Sequence, residues 1–208
     1  SCIVQFGDGE IVDVERKNEL AGNIHSKGIM IAEACLANVL ELPSQLPFSA
    51  SLVFEQSYGE IDGDSASLAS FCVLLSALSS LPLPQSIAIT GAIDQFGLVH
   101  AVGGVNDKIE GFFTICQRRG LTGKQGVMIP SAVLNQLSLS EAVVSAVKNQ
   151  EFFIYSVETV DQACEILLQR DLVEQENKTY DFDTLPLSRL IHQRIDQYSD
   201  QQSHKFGL

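Results

Sequence analysis

The sequence predicts an α+β domain of small mixed sheets packed with helices, and three observations carry that expectation. Short β-patterned and helix-patterned segments interleave along the chain without a regular strand–helix–strand rhythm. Prolines at 43, 47, 82 and 84 end the two longest apolar helical stretches. Hydrophobic residues make up 45% of the chain and charged residues 19%, a balance that supports a packed core rather than a disordered polymer.

Residues 11–15 alternate as a half-buried strand, and 22–28, with Asn23, His25, Ser26 and Lys27, read as a loop. From 29 to 40 the apolar residues Ile29, Ala32, Leu36, Val39 and Leu40 recur at helical spacing. Residues 49–56 form a strand that runs into an acidic turn. Residues 66–80 carry no charge and no glycine, and apolar side chains lie nearly all round, which marks a central buried helix. Residues 86–90 form a strand, 91–97 a turn, and 98–102 its hairpin partner. A helix over 106–119 presents Ile109, Phe112, Phe113 and Cys116, with Gly120 as its C-cap. Strands follow at 126–130 and 152–155, and helices at 140–147 and 159–168. Beyond Arg170 the composition turns polar. The expected organisation is therefore a domain over 1–170 and a C-terminal extension over 171–208, with one amphipathic helix at 185–198 and a frayed tail from 199.

A formal net charge of −13 excludes nucleic acid or an anionic membrane surface as the main partner, because both reward lysine and arginine. No apolar run reaches the roughly 18 residues of a membrane span, and the opening Ser1-Cys2-Ile3-Val4 looks cut from a longer protein. Cysteines at 2, 35, 72, 116 and 164 are odd in number and form no Cys-x-x-Cys, and the last four sit within apolar helical patterns. Buried reduced thiols and a cytoplasmic location are expected. Histidines 25, 100, 192 and 204 lack metal-ligand spacing, so no metal site is expected. The run Gly120-Leu121-Thr122-Gly123-Lys124-Gln125 has the wrong spacing for a phosphate-binding loop, so no nucleotide cofactor is expected in this chain.

Two stretches carry chemistry. In the first, Gly59, Glu60, Asp62, Gly63 and Asp64 lead from a strand to Ser65 at the start of the uncharged helix. Such a serine is either a helix N-cap or a hydroxyl held on a fixed elbow, beside helix N–H groups that can face a developing negative charge. In the second, Lys108 follows Gly103-Gly104 and lies one turn before Phe112. Its ammonium either reaches out to water or sits in a partly dry pocket. In the pocket it becomes an amine able to take a proton from a hydroxyl. The double glycine would let a second backbone approach closely.

Together these stretches resemble the proteolytic domain of Lon-type ATP-dependent proteases, nearest the archaeal-like LonB branch. The similarity runs through Gly63-Asp64-Ser65-Ala66-Ser67, Ile89-Thr90-Gly91, Val102-Gly103-Gly104-Val105 and Lys108-Ile109, with 24–31 resembling the segment upstream, and covers roughly residues 10–170. The resemblance implies a serine endopeptidase in which Ser65 is the nucleophile, Lys108 the general base and Thr90 the hydrogen-bonding partner of the lysine. Asp62, Gly63 and Asp64 are near-site residues; a glutamate is commoner at the position of Asp62. A carboxylate beside Lys108 would raise the lysine pKa and weaken the base. Unfolded or damaged protein is the implied substrate, a hexameric ring the implied assembly, and an ATPase module using ATP and magnesium the implied companion outside this chain. Two alternatives stay open: a non-catalytic assembly domain in which Ser65 merely caps a helix, and a Ser–Lys amidase acting on small substrates. His25 and His100 are expected to be structural.

Overall fold

The computed structural model describes residues 1–206. Strands β1 (Cys2–Gly9) and β2 (Ile11–Asp13) flank β3 (Leu46–Leu52), antiparallel to β1 and parallel to β2. The strand expected over 11–15 stops at Asp13. The Asp13 carboxylate accepts from Glu15 N at 3.2 Å and Arg16 N at 3.4 Å, and so starts the single turn α1 (Val14–Lys17).

Helix α2 (Asn23–Val39) absorbs the segment expected to be a loop. Its first turn has no local side-chain cap; Asp62 Oδ1 instead accepts from Ile24 N and His25 N, each at 3.2 Å, from nearly forty residues away. That signal is not local, so the sequence pattern begins the helix too late. Helix α3 (Ser67–Ser79) lies at the centre, as its uncharged sequence requires. Phe71, Leu74, Leu75 and Leu78 are buried against Ala32, Cys35 and Leu36 of α2 and Phe48 of β3. Each such side chain contributes about 1.5–3 kcal/mol by leaving water.

A second cluster forms beneath α4 (Val105–Arg119). Ile109 and Phe113 pack on Val127 and Ile129 of β7 (Gln125–Pro130), Phe152 of β8 (Phe152–Val157) and Val143 of α5 (Glu141–Lys148). The sheet here is parallel, in the order β4 (Ile87–Ile89), β7, β8. β4 therefore does not pair with the segment after it, contrary to expectation. The hairpin is made one step later by β5 (Ala92–Ile93) and β6 (Val99–His100), closed by Asp94 Oδ1 accepting from Phe96 N and Leu98 N. A 3₁₀ turn (Ser131–Gln136) and α6 (Val160–Leu168) complete this part of the chain.

The C-terminal extension is no loose appendage. Leu172, Leu187 and Ile191 enter the main core, and α7 (Leu187–Phe206) continues through the stretch expected to fray; residues 207–208 lie outside the described residues. His192 Nε2 donates to Leu40 O at the end of α2, and Arg194 donates to Ala77 O and Leu78 O at the end of α3 while its guanidinium lies over the Phe6 ring. Asp171 accepts from Lys178 Nζ at 2.6 Å and Tyr180 Oη at 2.7 Å, which ties down the polar loop ahead of α7. Cys35, Cys72, Cys116 and Cys164 are free and buried, and burial pushes the Cys35 and Cys72 thiols up to about 12. Among the described residues, no helix is long and apolar enough to cross a membrane.

Candidate active site

Ser65 sits just ahead of α3, on a loop whose position is set from elsewhere in the chain. Ile61 N donates to Leu20 O and Gly22 N to Ile61 O, both at 2.8 Å, so the loop adds a one-residue parallel bridge beside Ala21. Asp62 then grips the start of α2. The loop lies so close that a Cβ at Gly22 would run into the Asp62 side chain. The backbone hydrogen bonds from Gly63, His25 and Ile24 hold the Asp62 carboxyl below its usual value. Gly63 takes φ +88°, and Asp64 O accepts from Ser67 N at 2.9 Å.

The N-cap position of α3 belongs to Ala66, and Ser65 Oγ makes no capping bond. Ser65 O accepts from Gly91 N at 2.9 Å, and Gly91 O accepts from Leu68 N, which pins the elbow to the end of β4. Among the described residues, Ser65 N and Ala66 N have no acceptor. Two N–H groups at the head of a helix are thus left beside the hydroxyl.

Lys108, in the first turn of α4, reaches across the seam between the two cores. Its Nζ donates to Ser65 Oγ at 3.2 Å and to Thr90 Oγ1 at 3.1 Å, joining residues 43 positions apart in the chain. Thr90 is buried at the end of β4 and its N–H donates to Met128 O, so its hydroxyl is a fixed point. Ser65, Thr90 and Lys108 line one pocket of about 240 Å³, whose other walls are apolar and include Phe54, Ala69 and Val127.

Of the two fates open to Lys108, the structure gives an exposed side chain, with its Nζ bonded to Ser65 and Thr90 at the pocket wall. Among the described residues no carboxylate stands within ion-pair distance of it, since Asp62 is turned to α2 and Asp64 is exposed. Gly103 and Gly104 admit no close backbone; nothing lies within 4 Å of a Cβ there, and Gly104 instead supplies the φ of +66° at the start of α4.

Sequence reasoning did not find Phe54 or what lies behind it. Asp13, Glu15 and His25 form a buried cluster, with His25 Nε2 3.4 Å from Asp13 Oδ2. Glu15 Oε1 accepts from Phe54 N at 2.9 Å, and the Phe54 ring meets the His25 ring edge-on at 5.7 Å. The local signal was weak, because Glu15 looked like one member of an alternating strand. His100, by contrast, is exposed and bonds Asp94 at 2.8 Å, away from Ser65 and Lys108.

Comparison with known proteins bears on this constellation. The family model described as "Lon protease (S16) C-terminal proteolytic domain" matches residues 58–170. A protein of Haemophilus influenzae named "Putative Lon protease homolog" is 75% identical over 206 residues, covering 99% of this chain and 34% of its own length. One of the same name from Escherichia coli is 54% identical over 208 residues, again 34% of its length. An "Archaeal Lon protease" of Methanocaldococcus jannaschii is 32% identical over 162 residues, 73% of this chain and 22% of that protein. The chain thus spans about a third of the first two relatives.

Proposed function

We propose, from a chain that belongs to the Lon protease C-terminal proteolytic domain family, that it hydrolyses peptide bonds with Ser65 as nucleophile and Lys108 as general base. The observation that carries this is the 3.2 Å between Lys108 Nζ and Ser65 Oγ. In the reaction, Lys108 as a neutral amine takes the Ser65 proton while Oγ attacks the substrate carbonyl. The oxyanion faces the Ser65 and Ala66 N–H groups at the head of α3. Lys108 returns the proton to the leaving amine; water then attacks the acyl-enzyme while giving a proton to the same lysine, which passes it to Ser65 Oγ as the acyl bond breaks. Thr90 holds the lysine in line. The apolar lining of the pocket suits an apolar side chain beside the scissile bond, which is what an unfolded or damaged protein exposes.

Coupling to an ATPase module elsewhere in a longer protein, assembly as a hexameric ring, and work in the cytoplasm belong to the same proposal. They rest on likeness to the family rather than on any contact in this chain. Cleavage of an unfolded casein-like substrate tests the chemistry. Ser65→Ala and Lys108→Ala should each lower the rate by about a thousandfold or more with the fold intact. Retained cleavage by folded Ser65→Ala ends the proposal.

A further inference from the structure

The pocket at Ser65 has a neighbour. A second cavity, of about 330 Å³, is lined by Asp13, Ile29, Leu52 and Val73, and it shares Phe54 and Ala69 with the first. Phe54 is therefore a divider, 38% exposed, and it stands past the end of β3, next to Val53, whose N–H and C=O are both paired with Ser1. What fixes it is the buried cluster: Glu15 holds its N–H, and His25 meets its ring edge-on. That cluster is expensive to keep. Asp13 is 6% exposed, Glu15 4% and His25 1%; among the described residues Glu15 Oε2 has no hydrogen-bond partner, and Asp13 Oδ2 and His25 Nε2 have only their 3.4 Å contact with each other. The hydrolysis proposed for Ser65 uses none of these groups.

We infer that Phe54 sets the depth of the side-chain pocket beside Ser65, with Glu15 as the positioning residue that holds the divider in place. The inference rests on the peptidase function proposed above. At about 240 Å³ the first cavity is smaller than the roughly 300 Å³ at which small-molecule pockets begin, so it takes one substrate side chain. With the divider in place, the Phe54 ring limits the depth open to a side chain, which favours a medium aliphatic one such as leucine over a longer one. Without the ring, the two cavities join and bulky aromatic side chains enter. A shape change of this order in an apolar pocket changes selectivity about tenfold or more.

The test uses peptide boronates carrying alanine, leucine, phenylalanine or 2-naphthylalanine at the position next to boron. The Ser65 oxygen adds to boron, giving a tetrahedral adduct, and affinities are measured on the full chain. Wild type should favour leucine over naphthylalanine by about tenfold or more, and Phe54→Ala should reverse that order. Phe54→Leu, which keeps a branched wall and guards against misfolding of the alanine variant, should fall between. Glu15→Ala should broaden the preference, and Glu15→Gln, which keeps an acceptor for Phe54 N, should restore it. An unchanged order in folded Phe54→Ala and Phe54→Leu, with boronates still bonded to Ser65, overturns the divider and leaves the peptidase standing. Preference unmoved by Glu15→Ala overturns the positioning role. Boronates that form no bond to Ser65 in any variant overturn both.

Discussion

Thr90 is the residue on which the geometry of the lysine turns. Lys108 is exposed and long, so without an anchor its ammonium would sample many rotamers. The Thr90 hydroxyl at 3.1 Å removes that freedom. Thr90→Val keeps the shape and loses the bond. It should lower kcat on a peptide substrate by about tenfold, since about 1.4 kcal/mol of hydrogen bonding is one decade in rate. Asp62 ties stability to pH. Its folded pKa is lowered, so what it contributes is fully present above the unfolded value near 3.9 and is lost as pH falls through the folded one. The difference in urea midpoint between wild type and Asp62→Ala should hold at neutral pH and close as the solution is acidified.

At the scale of elements, the helices were largely legible and the pairings were not. α3 declared itself by fifteen residues without a charge, and α4, α5 and α6 by apolar spacing with Gly120, Ser140 and Thr159 at their ends. Those signals are local. The start of α2 depends on Asp62, and β4 on a partner reached only through α4, so neither is written near the residues it governs. That Ser65 and Lys108 would meet was legible because each lies in a distinctive short motif. The place of Phe54 between two cavities was not, since it arises where β3, α2 and α3 converge. Gly104 gives an element-scale check. Its φ of +66° at the head of α4 disfavours a side chain, so Gly104→Ala should cost about 1–2 kcal/mol in urea unfolding although a Cβ would meet no atom within 4 Å.

Over the whole molecule, the hydroxyl belongs to one core and the amine to the other. Ser65 heads a helix buried among α2, β3 and α7, whereas Lys108 rides on a helix packed over the parallel sheet. Their separation therefore reports how the two packed bodies sit on each other. α7 stiffens the first of them by holding the far ends of α2 and α3 through His192 and Arg194. Arg194→Ala removes a charged donor from two carbonyls and its cover from Phe6. It should cost about 2 kcal/mol, read as a lower urea midpoint.

The fastening of the loop ahead of Ser65 has an engineering consequence. Ile61 and Asp62 are clipped to residues 20–25, while Tyr58, Gly59 and Glu60 upstream of them stand in water. Glu55 and Ser57 are bonded to Ser1 and Phe54, so the run from Tyr58 to Glu60 is in effect a short rope between two cleats. A short glycine–serine graft spliced in at Tyr58-Gly59 would lengthen the rope without moving either cleat, and entropy would charge little for the added length. That site is where an affinity handle or a fluorophore belongs on this protein, a few residues ahead of Ser65 yet mechanically separate from it.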